Sequence, residues 1–315
     1  MNKNLLMIRN GFIRSERFMR LYDFFAESAK KRGIELENRT NIELMCDAAS
    51  GKHILLQSIP RATLFWDKDI RLAYQLEHAG SRLFNSARAI ELCDDKSRTH
   101  IALCGLVPMP KTIIAPLAYP RVGYTDDSFI ERAADELGLP MIVKECYGSF
   151  GMQVYLVNDI AELRETVHRT VGMPILFQEY VKTSHARDIR IYIVGGRIAA
   201  AMLRENDSGD FRANLARGGR ATAIALSKEQ ADVALKASQT LELDFCGVDL
   251  LFGKNDEPLL CEVNSNAHFV GLYHGTGVNV ADLIMEHIDN STDDWEFTSI
   301  ILHSFQTCAH PIICV

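Results

Sequence analysis

The chain has 315 residues, 47% of them hydrophobic and 24% charged, with a formal net charge of −7. That balance suits a globular protein and argues against broad nucleic-acid binding, which needs a basic surface. No apolar run is long enough to span a bilayer, and the short one near the amino terminus is broken at Asn10-Gly11, so it reads as a strand and not as a signal peptide.

The length implies two or three substructures of roughly 100–150 residues each. Eight cysteines (46, 93, 104, 146, 246, 261, 308 and 314) form no C-x-x-C pair and no Cys/His cluster with zinc spacing. They read as free thiols in a reducing cytoplasm.

In chain order, residues 5–9 read as a strand. Residues 15–31 read as a helix with Phe18, Leu21, Tyr22, Phe25 and Ala29 near one face, ended by Gly33. Residues 53–57 and 62–66 read as strands, and 69–78 as a helix closed by Gly80. This is the rhythm of an α/β layer with parallel strands. A helix over 96–104 leads to Gly105 and then to Pro108 and Pro110. A strand is expected over 111–115, and a helix capped by Asp126 and closed by Gly138. Residues 141–144 and 153–157 read as paired strands around the run from Glu145 to Met152, and a helix follows over 158–170.

The last third is richer in strands, at 175–181, 188–194, 198–204, 221–225, 247–252 and 259–264. Gly195-Gly196 reads as a hairpin turn. Ser227 and Gln230 read as a capping box on a helix running to about residue 241. A final helix covers 279–288. Residues 291–315 form a tail without an informative pattern, read as a small docking segment or partly disordered.

Three stretches carry chemistry. In Leu259-Leu260-Cys261-Glu262-Val263-Asn264, alternation puts Glu262 and Asn264 on one face and Cys261 and Val263 in the opposite layer. The short link over 253–258 brings Asp249 beside Glu262 as an antiparallel neighbour. Three oxygen ligands then converge, which suits Mg²⁺. The alternative is edge charges facing water, but acidic residues set among apolar ones are disfavoured without a partner. Second, Lys144 ends an apolar strand before Gly148, Ser149, Phe150 and Gly151. Such a loop can offer backbone N–H groups to phosphate, with the lysine as a mobile charge. The same residues suit a hairpin loop beside a solvated lysine, and no Walker motif follows. Third, Arg212, Arg217 and Arg220 lie around Gly218-Gly219. They could cradle a polyanion or form a solvated basic loop.

Taken together these pieces resemble the ATP-grasp superfamily, and within it the RimK-type α-L-glutamate ligases. The matching strings are Cys93-Asp94-Asp95-Lys96-Ser97, Ile142-Val143-Lys144, Gln178-Glu179-Tyr180-Val181, Arg187-Asp188-Ile189-Arg190 with Val194-Gly195-Gly196, Phe211-Arg212-Ala213-Asn214-Leu215 with Arg217-Gly218-Gly219, Gly247-Val248-Asp249, Glu262-Val263-Asn264 and Thr276-Gly277-Val278. They run in order from about residue 85 to 288.

The resemblance implies an ATP-grasp fold. A Rossmann-like domain over 1–93 would precede a central α+β subdomain over 94–178. A C-terminal antiparallel-sheet subdomain over 179–290 would carry the metal site, ahead of the tail. It implies that Lys96 and Lys144 contact ATP phosphates. The loop from Gly148 through Ser149 to Gly151 would fold over the γ-phosphate. Glu179, Tyr180 and Val181 would hold adenine, and Asp188 would contact the nucleotide. Arg212, Ala213 and Asn214 would lie along the triphosphate. Asp249, Glu262 and Asn264 would hold Mg²⁺, or Mn²⁺ in its place. Arg212 or Arg217 would stabilise the oxyanion of the tetrahedral intermediate.

The implied activity is a cytoplasmic ligase joining an amino acid such as glutamate to a peptide, protein or small metabolite through an acyl phosphate. Other readings are an amino-group-carrier or D-alanine–D-alanine-like ligase, or an inactive ATP-binding regulator. Homodimers and homotetramers are common in the family, and the sequence points to no interface. One departure stands out. The positions where the family usually has Pro-Gly, after Glu-Val-Asn, hold Ala267 and His268. That puts glutamate and any ribosomal acceptor in question.

Overall fold

A computed structural model describes residues 3–50, 58–213, 218–293, 295 and 297–299. The expected strand at 53–57 lies outside them, as do Asn214, Arg217 and most of the tail.

The first layer is a parallel sheet. Strands β1 (Lys3–Arg9), β2 (Ile34–Thr40), β4 (Ala62–Trp66) and β5 (Arg82–Phe84) are ordered β2-β1-β4-β5. A short β3 (Ser58–Pro60) pairs instead with β15 (Phe297–Ser299). Both faces of β1 are buried, as a parallel strand covered on two sides requires. Leu5 and Met7 join a core built with α1 (Glu16–Lys31) and α9 (Val280–Asn290). Leu6 and Ile8 pack with α2 (Ile70–His78) and α3 (Ala87–Asp94).

Asp95 then caps α4 (Lys96–Leu103), its carboxylate accepting from the Ser97 and Arg98 amides at 2.9 and 3.3 Å. This cap fixes Lys96 as the first helical residue. The central layer is an antiparallel sheet in the order β6-β9-β7-β8, made of β6 (Thr112–Ile114), β7 (Met141–Glu145), β8 (Val154–Val157) and β9 (Ile175–Glu179). Helices α5 (Ser128–Leu137) and α6 (Ile160–Arg169) cover one face, meeting Met141, Val143, Ile175 and Phe177. Asp127, and not Asp126, holds the cap position of α5. The Asp126 carboxylate still accepts from the Ser128 amide at 2.8 Å.

The third layer is a five-stranded antiparallel sheet, β12-β11-β10-β13-β14. Its strands are β10 (Arg187–Val194), β11 (Arg197–Glu205), β12 (Arg220–Ala223), β13 (Phe245–Phe252) and β14 (Pro258–Asn264). One face of β10, with Ile189, Ile191 and Ile193, packs with α7 (Lys228–Thr240), whose Ser227–Gln230 capping box is present. The other face is split. Tyr192 and Val194 enter the core shared with α8 (Val270–Thr276) and α9. Asp188 and Arg190 lie farther along the same face, where the sheet opens to a cleft. Asn85 ties the first layer to the third. Its amide nitrogen donates to the Phe245 and Ser265 carbonyls, and its oxygen accepts from the Asp244 and Phe245 amides.

Candidate active site

A cleft of about 890 Å³ lies between the central and five-stranded sheets. That volume is within the range of small-molecule sites. Strand alternation delivers Lys144 to it: Met141 and Val143 enter the α5/α6 core, so Ile142 and Lys144 face the cleft. Lys144 is 6% exposed and donates to the Cys261 thiol at 3.6 Å, with no ion pair among the described residues. Lys96 is 8% exposed. Its Nζ lies 3.4 Å from the Gly148 carbonyl and 3.8 Å from Glu262 Oε1. Buried ammonium groups so poorly matched by carboxylates are costly unless an anion supplies the missing charge.

The loop bearing Gly148, Ser149 and Gly151 forms one wall. Its tip residue Phe150 meets α1: the Arg17 guanidinium lies 4.8 Å from the ring centroid, and the Phe18 ring packs edge-on at 6.3 Å. Arg212 holds the loop from the other side, donating to the Gly151 and Val154 carbonyls at 2.6 and 3.2 Å. It also pairs with Asp210 at 2.8 Å. Ala213 is buried beside it. At the opposite end Glu179, Tyr180 and Val181 line the cleft. The Glu179 carboxylate is pinned by the Lys111 amide at 2.8 Å.

The floor is a charge network. Asp188 is paired through both oxygens to Arg204, at 2.6 and 2.8 Å. Arg204 also reaches Asp249 at 2.9 Å, and Arg190 pairs with Asp249 through Nε and Nη2. Burial opposes ionisation of Asp249, but Arg190 and Arg204 outweigh it and hold its pKa below the ordinary carboxylate value. At Asp188 burial prevails over Arg204, and Asp249 adds to the upward shift.

Asp249 faces Glu262 across the β13/β14 ladder, as the short link predicts. The expectation that Cys261 lies in the opposite layer is corrected. The register shifts between Asp249 and Leu250, so β14 carries one extra residue there. Leu260 and Val263 are buried in the α7 core, while Cys261 and Glu262 both line the cleft.

Asp249, Glu262 and Asn264 are hard oxygen donors of the kind Mg²⁺ takes. Among the described residues no three His, Cys, Asp or Glu side chains cluster to hold a metal, so Asn264 is needed to complete the set. The three fit that ion in donor type. Glu262 has no ion pair closer than Lys96, and the buried Asn264 amide nitrogen has no partner. Asp249 is already shared by two arginines.

Asn264 lines a second cavity of about 920 Å³ and not the first. The two cavities share Ser149, Phe150, Gly151, Arg204, Asp249 and Glu262. The glycine-containing loop and the two carboxylates therefore stand at their junction. Gly247 permits this crowding: a Cβ there would lie 2.5 Å from that of Ala267 and 3.1 Å from Arg190 Cδ.

Arg190 and Arg204 were not among the expected site residues. Alternation with Asp188 on β10 could have found Arg190. Arg204 was hidden by register. Counting back from the Gly195-Gly196 turn sets Leu203 opposite Asp188, but a shift between Tyr192 and Ile193 brings Arg204 there instead.

Residues 94–288 match the family model described as a RimK-like ATP-grasp domain. An uncharacterised Mycoplasma pneumoniae protein is 36% identical over 207 residues, 64% of this chain and 71% of its own. Human N-acetylaspartylglutamate synthase A is 33% identical over 236 residues, covering 74% of this chain but only 59% of its own length. A RimK-domain ATP-grasp protein from Sphaerobacter thermophilus superposes with a TM-score of 0.68 at 17% identity, over 90% of this chain and 99% of that one. The structural likeness shows the ATP-grasp fold. Because the family match covers well over half of the sequence and takes in Lys96, Lys144, Asp249 and Glu262, the chain belongs to the RimK-like ATP-grasp family.

Proposed function

We propose that the protein is an ATP-dependent carboxylate–amine ligase that joins an amino acid, glutamate or a close analogue, to a carboxylate-bearing peptide, protein or small metabolite. The observation that carries this reading is the pair of buried, poorly matched lysines, Lys96 and Lys144, in a cleft continuous with a second cavity. The name of the human relative, a synthase of an N-acetylated aspartyl-glutamate, supports glutamate as the added amino acid.

In this reading Glu179 and the Tyr180–Val181 backbone hold adenine. Lys96, Lys144, the 148–151 loop and residues 212–214 surround the triphosphate. Asp249, Glu262 and Asn264 hold Mg²⁺ or Mn²⁺, which offsets charge on the phosphoryl oxygens. A carboxylate oxygen of the substrate bonds to the γ-phosphorus as the bond to ADP breaks. The amine nitrogen then bonds to the acyl carbon, phosphate leaves with the C–O electron pair, and the nitrogen loses a proton. Lys96 and Lys144 orient the phosphates and lower the charge repulsion. Arg212, expected at the oxyanion, is taken up by Asp210 and two loop carbonyls, so its part here is to hold the loop shut.

The test is mass spectrometry of the protein incubated with ATP, Mg²⁺, L-glutamate and a pool of acidic peptides and small carboxylates. A product one water lighter than the sum of two substrates, formed with ADP, is expected. Formation of AMP would sink the acyl-phosphate route.

A further inference from the structure

The second cavity has features that nucleotide binding leaves unexplained. Its wall joins α1 to the loop after β14. Arg17 and Arg190 both line it. Arg190 spends Nε and Nη2 on Asp249. Arg17 has no ion pair among the described residues and rests on the Phe150 ring. Burial, and then the like charge of Arg190, lower the Arg17 pKa. Two guanidinium groups that repel one another across a cavity are suited to receive a carboxylate.

Among the described residues five buried side-chain polar atoms lack a partner, and three of them lie here: Asn264 Nδ2, Asn266 Oδ1 and His268 Nδ1. Buried polar atoms in native proteins are nearly always bonded, so such a cluster calls for a ligand. The hydrogen-bond roles are fixed by neighbours that can only accept. Asn266 Nδ2 donates to the Asp67 carbonyl at 2.9 Å, which leaves Oδ1 as an acceptor. His268 Nε2 donates to the Arg17 carbonyl at 3.1 Å, so Nδ1 of the neutral ring is an acceptor too. Burial, followed by Arg17, pushes the His268 pKa down to about 4, which keeps the ring neutral. The Phe18 ring, edge-on at 5.4 Å, sets its orientation. A simple carboxylate would satisfy the arginines and leave both acceptors bare. An ammonium group brings three donors.

Building on the ligase reading, we propose that this cavity seats an anionic α-amino acid co-substrate, its carboxylate gripped by Arg17 and Arg190 and its amino group met by Asn266 Oδ1 and His268 Nδ1. His268 stands where the family pattern carries glycine, so this chain supplies its own specificity residue there.

The experiment is calorimetric titration of the full chain, with AMP-PNP and Mg²⁺ present, using L-glutamate, N-acetyl-L-glutamate and glutarate as probes. L-Glutamate is expected to bind, and the two probes without a free amino group to bind at least about tenfold more weakly. Arg17→Ala and His268→Ala are each expected to weaken L-glutamate by about tenfold while leaving AMP-PNP affinity unchanged. Equal binding of glutarate, unaltered L-glutamate binding in both variants, or no L-glutamate binding overturns the assignment. Failure of the ligase reading looks different: L-glutamate binds, yet no ADP forms with any carboxylate.

Discussion

Glu262 and Asp249 face one another, but their removal has different consequences. Glu262 has only Lys96 nearby, at 3.8 Å. Glu262→Gln is therefore expected to lower turnover by at least about a hundredfold with an unchanged melting temperature. Asp249 neutralises Arg190 and Arg204. Asp249→Ala is expected to abolish turnover and also to cost about 3–5 kcal/mol, read from denaturant melts, because it strands two buried cations. His100 provides a pH signature. Its Nδ1 donates to the Lys96 carbonyl at 2.8 Å and its Nε2 accepts from Gln178 at 3.2 Å, so the ring is neutral. Burial, with Lys144 next, lowers its pKa from 6.5 to about 4. The unfolded chain takes up this proton first as pH falls. Stability is thus full above pH 6.5 and is lost toward pH 4, by roughly 3 kcal/mol at most from this residue. His100→Asn is expected to flatten that slope in urea melts at stepped pH. Lys144, Asp249 and Glu262 were legible as cleft residues because alternation and a short hairpin decide where they point. Arg204 and Cys261 were not, since each depends on a one-residue bulge that no local composition announces.

The β10–β11 hairpin aligns Asp188 with Arg204, and two glycines make its turn. Gly195 and Gly196 have φ of +55° and +71°. A Cβ on Gly196 meets nothing within 4 Å, whereas one on Gly195 would lie 2.8 Å from His287 Nδ1. Gly196→Ala is expected to cost about 1 kcal/mol for the left-handed backbone alone, and Gly195→Ala distinctly more. Thermal melts of the two variants check the order. The strands that form the cleft were legible from apolar runs and turn residues. Those that escaped have weak local patterns. Charged β2 gains its place by pairing with β1, β5 has three residues, and α8 contains Gly271 and Gly275, which depress helix propensity.

At the scale of the whole molecule, three layers converge on two adjoining cavities. The parallel sheet contributes α1 and Arg17, the central sheet contributes Lys144 and the 148–151 loop, and the five-stranded sheet contributes the charged floor. The ATP-grasp architecture was readable because its strings recur in order along the chain. The second cavity was not, because residues 17, 190 and 268 meet only once the layers pack. The most direct measurement is phosphate release from ATP·Mg²⁺ by the full chain, challenged with pools of amino acids together with peptides and small carboxylates. The account predicts release that requires both an amine and a carboxylate, matches ADP one for one, and disappears in Glu262→Gln. Release that is indifferent to either substrate, or that survives in Glu262→Gln, would contradict it.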